Sequence, residues 1–500
     1  MKCSIIILAA GQGVRMKSSL PKVLHPLGGK PLIHHVLDTA RAISDNLPVV
    51  VIGHGGDQVR AAVGDAGQCV VQEEQLGTAH AVQTARPLLE GKSDLVLVMN
   101  SDMPLLTTQT LQQMIEVQTA NPGPITMLTI LSSDSHGFGR VVRDGRGMVQ
   151  AIVEEAHATP EQLAIRELNA GVYCFRAEWL WQALKRIPLS PKGEYYLTDT
   201  VGLAAAEGMP IEVAATDDPA EALGINTRIH LAEAETLLRQ RVNRRWMLSG
   251  VTIIDPATTY IEADVTIGSD TTIHPNTHLR GNTTIGSHCR IGPNSILEDT
   301  RVGDHCLVLA SVTEGAILEE GVSMGPYGHL RKGAHLGAGV HMGNFGEVKD
   351  SYLGAGTKMG HFSYLGDATV GANANIGAGT ITCNFDGVNK HPTEIGDNAF
   401  IGSDSLLVAP VRVGRGAKTG AGSVVTHDVP DDTLVYGVPA RPRGGQAATG
   451  SGSEGGQTPP AESSADEDAP AGPNASIAAA TKALGPAGAS SSADDSAEGV

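Results

Sequence analysis

A glycine-rich turn follows directly on the first apolar stretch of the sequence. Residues 4–8 predict a buried, isoleucine-rich strand, and residues 9–16 (AAGQGVRM) form the turn. Backbone N–H groups in such a turn can approach a phosphate closely, and Arg15 adds a positive charge. The spacing fits neither the dinucleotide fingerprint GxGxxG nor a P-loop. A structural turn explains this stretch alone equally well, but the segments PKVL at 21–24 and GKPL at 29–32 extend the pattern and favour a functional role.

An aspartate stands at the end of a second apolar stretch. Residues 95–99 predict a buried strand, and the segment NSDMPL at 100–105 follows at its carboxyl end. Ligands bind at the carboxyl ends of strands in a parallel sheet, so Asp102 is a candidate functional residue. The alternative is that Asp102 caps the following helix.

Strands and helices alternate through the first half of the chain, which predicts a parallel sheet. The other elements predicted there are a helix at 32–43, strands at 48–52, 69–72 and 172–175, a hairpin of 137–142 with 152–155, a helix capped by 193–199, and a long helix from 224–228 to near 247. We expect the long helix to mark the boundary to a second domain.

The second half of the chain has a sequence period of six. Three runs of residues, apolar except for one threonine, show it: Ile267, Ile273, Leu279, Ile285, Ile291 and Leu297; Leu318, Met324, Leu330, Leu336, Met342 and Val348; and Ile395, Ile401, Leu407, Val413, Thr419 and Val425. Helices repeat near 3.6 residues and strands at 2, so the pattern predicts neither. It is typical of a parallel β-helix, in which three hexapeptides make one triangular coil and the periodic residues stack inward.

Glycines often follow the periodic residues, and we expect them to permit the corners of the coil. They are Gly268, Gly286, Gly292, Gly396, Gly402 and Gly414. Residues 379–394 leave the rhythm, which predicts a long loop with a functional role. After Arg443 the sequence consists mainly of Ala, Ser, Gly, Pro and acidic residues, which predicts a disordered tail at 444–500.

Length and charge restrict the class of protein. A chain of 500 residues predicts two or three domains. The net charge of −18 argues against a nucleic-acid-binding protein. The 6 cysteines show no CxxC or zinc-type spacing, and no stretch reaches transmembrane length, so we expect a cytoplasmic protein with reduced thiols that does not bind membranes.

These segments, taken together and in this order, resemble the GlmU family of bifunctional bacterial enzymes. Those enzymes act as N-acetylglucosamine-1-phosphate uridylyltransferase and glucosamine-1-phosphate N-acetyltransferase. The resemblance runs from about Met1 to Val438. It implies an α/β Rossmann-like nucleotidyltransferase domain at 1–228, a linker helix at 229–249, and an acetyltransferase domain at 250–443 that is a left-handed parallel β-helix.

For the first domain, the resemblance implies a uridylyltransferase site with UTP and Mg²⁺. The nucleotide-binding residues would be Leu8, Ala9, Ala10, Gly11, Gln72, Gly77 and Thr78, with Arg15 and Lys22 on the phosphates. Asp102 and Asn226 match the metal ligands. Gly139, Glu154 and Asn169, together with Asn226, match the residues at the N-acetylglucosamine moiety.

For the second domain, the segment KMGHFSYLGD at 358–367 resembles the acetyltransferase centre and makes His361 the catalytic base. Composition alone does not select His361, because the repeats contain many histidines. The resemblance also places Glu347 beside the His361 ring. Glucosamine-1-phosphate would contact Arg331, Lys349, Tyr364, Asn375 and Lys390. Acetyl-CoA would contact Ala378, Asn384, Phe385, Ser403 and Ala421 in a groove between neighbouring chains.

Several positions depart from the family pattern. Val14 replaces a threonine, Ser101 a glycine, Ala156 and His157 a Lys-Asp pair, and Ala170 a threonine, while Gly437 stands where the family has an arginine that contacts CoA. These departures bear on sugar contacts and on which arginine completes the CoA site. The metal ligands are unchanged.

The resemblance implies a cytoplasmic homotrimer that makes UDP-N-acetylglucosamine for peptidoglycan synthesis. The chain would acetylate glucosamine-1-phosphate with acetyl-CoA and then transfer a uridylyl group from UTP to N-acetylglucosamine-1-phosphate. One alternative is a monofunctional sugar-phosphate nucleotidylyltransferase whose β-helix serves only oligomerisation. A second is a catalytically silent regulatory subunit, which the presence of Lys22, Asp102, Asn226 and His361 disfavours.

Overall fold

The computed structural model describes residues 1–133, 137–216 and 218–442. The tail predicted to be disordered lies outside these residues. Within them, one mixed sheet flanked by helices is followed by three sheets whose strands pair in parallel, except for the last strand of one sheet, Arg441–Pro442, which is antiparallel.

The first half of the chain is built on a nine-stranded sheet. Its main strand order is Ile211–Ala215, Ile125–Leu131, Glu167–Arg176, Leu95–Asn100, Cys3–Ala9, Val49–Ile52 and Gln68–Val71. The strands Arg140–Arg143 and Val149–Val153 form the predicted hairpin, and Arg140–Arg143 also pairs with Glu167–Arg176. The central strand Cys3–Ala9 pairs in parallel with both neighbours, as predicted.

The prediction of a parallel sheet is wrong for one strand. Glu167–Arg176 runs antiparallel to both Leu95–Asn100 and Ile125–Leu131. A strand that runs parallel to the strand before it needs a crossover connection of a dozen or more residues, which is usually an α-helix. The described residues between Leu131 and Glu167 form the hairpin and, as their one α-helix, the short Pro160–Leu163, so the strand returns in the opposite direction.

Helices cover both faces of this sheet. Ile5 and Ile7 pack on the side of Leu32–Ile43, Gly56–Val63 and Thr108–Ala120, whereas Ile6 packs on the side of Thr78–Leu89, Ala177–Ala183 and Asp199–Ala206. A strand covered on both faces needs an unbroken apolar run, which explains the sequence of residues 4–8. Shorter elements are the ribbon Pro26–Leu27 with Lys30–Pro31 and 3-10 helices at Val14–Met16, Lys22–Leu24, Gly64–Ala66, Glu155–His157, Leu184–Arg186 and Pro219–Ala222.

The long helix is Arg228–Leu248, and it connects the two halves. Thr227 caps its first turn by accepting from the His230 N–H. Arg241 donates to the carbonyl of Leu105 in the first half, at 2.6 Å. Asn243 donates to the carbonyls of Pro256 and Thr259 at the start of the second half.

The second half is the parallel β-helix predicted from the six-residue period. The first sheet contains Thr252–Ile253, Thr272–Ile273, Arg290–Ile291, Leu307–Val308, Ser323–Met324, His341–Met342, Lys358–Met359, Asn375–Ile376, Phe400–Ile401, Lys418–Thr419, Leu434–Tyr436 and Arg441–Pro442. The second contains Tyr260–Ile261, His278–Arg280, Ile296–Glu298, Val312–Glu314, His329–Leu330, Gly346–Lys349, Ser363–Gly366, Ile381–Cys383, Leu406–Val408 and Val424–Val425. The third contains Thr266–Ile267, Thr284–Ile285, Arg301–Val302, Ile317–Leu318, His335–Leu336, Tyr352–Leu353, Ala368–Val370, Thr393–Ile395 and Val411–Val413.

The periodic residues form the interior of the β-helix. Every member of the three runs is at most 7% exposed. Ile267 pairs with Ile285, three hexapeptides later, and Leu330 pairs with Val348 in the same way. The prediction that three hexapeptides complete one coil is therefore confirmed.

The predicted role of the glycines is wrong at five of the six positions. Only Gly292 has a positive φ, of 87°, and Asp270, Asn276 and His288 are among the residues that adopt the left-handed conformation elsewhere. The other glycines lie against the backbone of the next coil; a Cβ on Gly268, for example, would lie 2.6 Å from the carbonyl carbon of Gly286. Close stacking of coils, rather than the corner itself, excludes a side chain there.

The interruption at 379–394 is shorter than predicted. Ile381–Cys383 and Thr393–Ile395 remain in their sheets, so only the residues between them leave the coil. Phe385 and Lys390 form an antiparallel bridge across the excursion, and Asp386 lies 2.7 Å from His391.

Within the described residues, none of the helices is both long and apolar enough to span a membrane. All 6 cysteines are unpaired, in agreement with the prediction of reduced thiols.

Gly343→Ala tests the stacking constraint, because its new Cβ would overlap the carbonyl oxygen of Gly360 on the next coil. We expect a loss of about 1–3 kcal/mol or more in stability, seen as a lower thermal unfolding midpoint of the β-helix. Gly360→Ala is the matched control, since its Cβ would enter open space. Equal midpoints for the two variants would contradict the stacking argument.

Candidate functional site

A cavity of about 510 Å³ opens at the carboxyl ends of the central strands. All predicted nucleotide-binding residues except Arg15 line it: Leu8, Ala9, Ala10, Gly11, Lys22, Gln72, Gly77 and Thr78. Thr78 begins the helix Thr78–Leu89, whose N-terminus favours an anionic ligand. The structure thus brings together residues from four separate segments.

Three side chains from distant segments meet at one point; two of them, Lys22 and Asp102, line this cavity, and the third, Asn226, lies outside the lining of both this cavity and the sugar cavity. The Lys22 ammonium lies 2.7 Å from Oδ2 of Asp102 and 3.1 Å from Oδ1 of Asn226. Lys22 begins a 3-10 helix, Asp102 follows the strand Leu95–Asn100, and Asn226 precedes the long helix. A backbone hydrogen bond of 2.8 Å from Ile225 to the Asp102 carbonyl holds the last two segments together.

The two oxygens fit a hard divalent cation. They already converge on one cationic group, and carboxylate and amide oxygens are suitable ligands for Mg²⁺, which takes its remaining ligands from water and substrate phosphates. In the described ranges no group of three or more His, Cys, Asp or Glu side chains could hold a metal alone. A cation bound by Asp102 and Asn226 would therefore depend on phosphate oxygens for the rest of its ligands.

Arg15 is the one predicted nucleotide-site residue that lies apart. Its side chain is exposed on the 3-10 helix Val14–Met16, outside the cavity lining. The turn before it packs on Lys22: Gly13 has φ of 62°, and a Cβ there would lie 2.7 Å from Cβ of Lys22. The turn thus positions the lysine, and Arg15 extends toward solvent.

A second cavity of about 570 Å³ adjoins the first and contains the predicted sugar-binding residues Gly139, Glu154 and Asn169. Both cavities share Leu8, Thr78, Asn100 and Tyr196, so two ligands bound in them would meet. Asn100 and Tyr196 were not among the predicted site residues. The sequence signal for Tyr196 is its place in the segment GEYYLTD at 193–199.

Buried hydrogen bonds orient the sugar-cavity side chains. Oδ1 of Asn169 accepts from the Gly171 N–H at 3.1 Å and from the Tyr173 hydroxyl at 3.0 Å, which leaves its amide N–H₂ for a ligand. Burial raises the pKa of Tyr173 and keeps that hydroxyl a donor. Burial also raises the pKa of Glu154, a shift that the charges of His157 and Lys192 oppose.

The positions that depart from the family pattern lie in different surroundings. The Ser101 hydroxyl donates to the Leu8 carbonyl at 2.6 Å and so ties the nucleotide strand to the segment carrying Asp102. Ala156, His157 and Ala170 all line the sugar cavity, which places their effect at the sugar. Val14 is 73% exposed and contacts neither cavity.

The β-helix carries a separate cavity of about 560 Å³ on its second sheet. Its lining includes Glu347, Phe362 and Tyr364. His361 lies beside it, exposed at the corner between Lys358–Met359 and Ser363–Gly366. Within the described residues of one chain no hydrogen bond joins Glu347 to His361; Glu347 accepts from Arg331 at 3.0 Å, and its contact with the ring stays a prediction. The charge of the guanidinium attracts the carboxylate more strongly than a neutral ring would.

Basic side chains gather next to this cavity. Arg331 and Lys349 each come directly after one of two residues that pair between successive coils. Lys390 lies on the excursion after Cys383, 4.0 Å from Asp367. The hydrogen bond to Asp350 raises the pKa of Lys349, while contact with Lys349 lowers that of Lys390. Two ammonium groups in contact form a natural site for a phosphate.

Asn375 does not join this group. It lies on the first sheet, whereas Tyr364 lies on the second, so one chain does not present the predicted sugar-phosphate residues on a single face.

Three of the five residues predicted to contact acetyl-CoA form a ladder along one edge. Ala378, Ser403 and Ala421 occupy equivalent places on successive coils, as shown by the backbone hydrogen bonds from Asp404 to Ala378 and from Gly422 to Ser403. Asn384 donates to Asp367 at 2.5 Å, and Phe385 is 60% exposed.

Comparison with known proteins supports the division into two catalytic regions. Residues 5–187 match the MobA-like NTP transferase domain, and residues 264–299 and 392–427 match the bacterial transferase hexapeptide repeats. The chain is 47% identical to the bifunctional protein GlmU of Exiguobacterium sibiricum over 86% of its own length and 96% of the relative's. The chain belongs to the GlmU family.

Other GlmU proteins show the same extent of similarity. Identity is 48% to that of Stutzerimonas stutzeri, over 87% of this chain and 96% of the relative. It is 46% to that of Heliobacterium modesticaldum, over 87% and 95%. Membership of the GlmU family assigns nucleotidyltransferase and hexapeptide acetyltransferase activities to the chain, which acts on small-molecule substrates.

Glu154→Gln tests the burial of the carboxyl in the sugar cavity. Because the pKa of Glu154 is raised in the folded chain, the folded chain binds this proton more tightly than the unfolded chain does. Stability therefore falls as the pH rises above the ordinary glutamate pKa of about 4.5 and Glu154 becomes charged. We expect the variant to raise the thermal midpoint at pH 7.5 and to raise it less at pH 4.5. Glu116→Gln, an exposed helix position, serves as control. An equal effect at both pH values would contradict the assignment.

Proposed function

We propose that the chain makes UDP-N-acetylglucosamine in two steps in the cytoplasm, using acetyl-CoA, then UTP and Mg²⁺. Uridylyl transfer takes place in a domain formed by 1–228, and acetyl transfer in a β-helix formed by 250–443, with 229–249 as the linker and 444–500 as a tail. The observation that carries the proposal is the convergence of Lys22, Asp102 and Asn226 at the nucleotide cavity, which adjoins the sugar cavity.

In uridylyl transfer two anions must approach each other, so the site has to supply positive charge. Asp102 and Asn226 would hold Mg²⁺, which neutralises phosphate charge when bound. Lys22 lines the nucleotide cavity and would bind phosphate oxygens. Gly139, Glu154 and Asn169 orient N-acetylglucosamine-1-phosphate so that its phosphate oxygen attacks the α-phosphorus of UTP in line and pyrophosphate leaves.

In acetyl transfer the amine of glucosamine-1-phosphate attacks the thioester of acetyl-CoA, and CoA thiol leaves. The amine must lose a proton as the nitrogen bonds to carbon, and a neutral His361 imidazole can accept it. Arg331, Lys349 and Lys390 hold the sugar phosphate, with Tyr364 and Asn375 on the same substrate. Ala378, Asn384, Phe385, Ser403 and Ala421 bind acetyl-CoA.

We propose that three copies complete this site. Tyr327, Phe345 and Phe362 form a column at one corner of successive coils and are 62%, 60% and 55% exposed. Tyr327 and Phe345 stack with ring centroids 5.2 Å apart. A contiguous exposed aromatic column is unusual on a monomer and supports a protein interface. A neighbouring chain would also supply Asn375, which lies on another sheet than Tyr364.

Asp102→Asn keeps the shape of the side chain and removes its charge. We expect pyrophosphate release from UTP and N-acetylglucosamine-1-phosphate to fall at least about 10²-fold, because an amide pair holds Mg²⁺ poorly. Acetyl transfer, measured as CoA thiol, should stay unchanged. Asp38→Asn, which removes an exposed partner of Lys30, is the control and should alter neither activity. Pyrophosphate release at the parent rate would refute the role of Asp102.

His361→Ala should lower acetyl transfer by about 10²–10⁴-fold, the usual contribution of a general base. Uridylyl transfer should continue, since it uses another domain. The remaining acetyl transfer should rise at high pH, where the free amine is already present. His341→Ala removes an exposed histidine one coil earlier and should have no effect on either activity. Acetylation by His361→Ala at the parent rate at pH 7 would leave the β-helix without its proposed base.

A further inference from the structure

The side chain of Gln72 is held in a fixed orientation in the nucleotide cavity. Gln72 is 3% exposed and lines the cavity. Its Nε2 donates to the carbonyl oxygen of Gly77 at 3.2 Å and lies 3.0 Å from Nδ1 of His80. A carbonyl oxygen only accepts, so the atom of Gln72 that faces Gly77 must be the amide nitrogen.

This orientation also determines the tautomer of His80. The Gln72 nitrogen is a donor, so Nδ1 of His80 must accept from it, and the proton of a neutral ring is on Nε2. Both amide hydrogens of Gln72 are then used by the protein. No donor from the described part of the chain reaches Oε1 of Gln72, so this oxygen remains for a ligand.

The backbone on both sides keeps the arrangement in place. The Gln72 N–H donates to the Ile52 carbonyl at 2.8 Å, which fixes the start of the side chain. The Gly77 carbonyl also accepts from the Ala81 N–H at 3.1 Å in the first turn of the helix, which keeps it in place. His80 lies in the first turn of the helix Thr78–Leu89, which is packed against the sheet.

We propose that His80 is a positioning residue that holds the Gln72 amide with Oε1 toward the nucleotide and thereby selects uracil over cytosine. This inference rests on the proposed uridylyl transfer. Uracil has an N–H at ring position 3 and can donate to Oε1, whereas cytosine has an unprotonated nitrogen there. The lone pairs of that nitrogen and of Oε1 would face each other without a hydrogen, at the cost of a buried unmet acceptor.

The reverse orientation of the amide would favour cytosine, because Nε2 could then donate to its ring nitrogen. With His80 present that orientation places Oε1 against the Gly77 carbonyl, loses both Nε2 hydrogen bonds, and requires the His80 proton to move from Nε2 to Nδ1 before the ring can bond to Gln72 again. Without His80 only the single bond to Gly77 opposes the rotation. The choice of base therefore depends on a residue that does not itself touch the base.

The test compares kcat/KM for UTP and CTP, measured as pyrophosphate release with N-acetylglucosamine-1-phosphate and Mg²⁺. In His80→Ala we expect the UTP to CTP ratio to fall about tenfold, the effect of one base-edge hydrogen bond. A merely structural loss would lower both values together and leave the ratio unchanged. His80→Asn can place an acceptor near the position of Nδ1 and should restore most of the ratio.

Two controls accompany this comparison. 5-Methyl-UTP keeps the N–H at position 3, so its rate relative to UTP should be the same in wild type and His80→Ala. His34→Ala removes a helix histidine that contacts the Ala62 carbonyl at 2.8 Å, away from the cavity, and should leave the UTP to CTP ratio unchanged. If His80→Ala does not fold, His80→Leu fills the space without an acceptor and carries the same expectation.

The outcomes separate the two proposals. An inactive wild type would refute the proposed uridylyl transfer itself. An active His80→Ala or His80→Leu enzyme with the wild-type UTP to CTP ratio would overturn the role of His80 and leave uridylyl transfer standing. A reduced ratio that His80→Asn restores would support the inference.

Discussion

The first catalytic region depends on one electrostatic contact, in which the Lys22 ammonium joins Asp102 and Asn226. A different element positions each partner. A glycine turn packs on Lys22, a buried strand ends just before Asp102, and Asn226 precedes the helix that leads into the β-helix. One carboxylate and one amide oxygen around a cation form a site that is ready for phosphate chemistry but incomplete without a phosphate ligand. The contact lies at the nucleotide cavity, which shares Leu8, Thr78, Asn100 and Tyr196 with the sugar cavity, so ligands bound in the two cavities would meet.

The β-helix obeys a different constraint, the distance between successive coils. Parallel pairing places each periodic residue on the one three hexapeptides before it, and glycines stand where the backbone of the next coil leaves no room for a Cβ. The interior is consequently uniform, and chemical variety is confined to outward-facing positions and to the short excursion after Cys383. Arg331, Lys349 and Lys390 occupy such positions, as does the exposed His361. A rigid stack of this kind can present residues to a neighbouring copy without rearranging its core.

Features that depend on local sequence pattern were predicted. The direction of a strand and the contacts between distant side chains were missed. Burial of the periodic residues between Ile267 and Val425 was predicted from the six-residue period. The helix Leu32–Ile43 was predicted with its bounds. The antiparallel course of Glu167–Arg176 was missed because nothing in its composition records the direction of its neighbours. The hydrogen bond from Arg331 to Glu347 was not predicted, because the resemblance related Glu347 only to His361. The bond between Gln72 and His80 was also missed, since Gln72 follows a strand, His80 lies in the next helix, and only the turn at Gly77 brings them together.

The central claim is that one chain performs two successive reactions at two separate sites. The most direct measurement gives the purified protein glucosamine-1-phosphate, acetyl-CoA, UTP and Mg²⁺, and follows CoA thiol and pyrophosphate in the same reaction. The account predicts release of both, with pyrophosphate appearing after a lag and only when acetyl-CoA is present, because N-acetylglucosamine-1-phosphate has to form first. Pyrophosphate released at the same rate without acetyl-CoA, and with no CoA thiol formed when it is present, would contradict the account and leave the β-helix as a structural element of a monofunctional nucleotidylyltransferase.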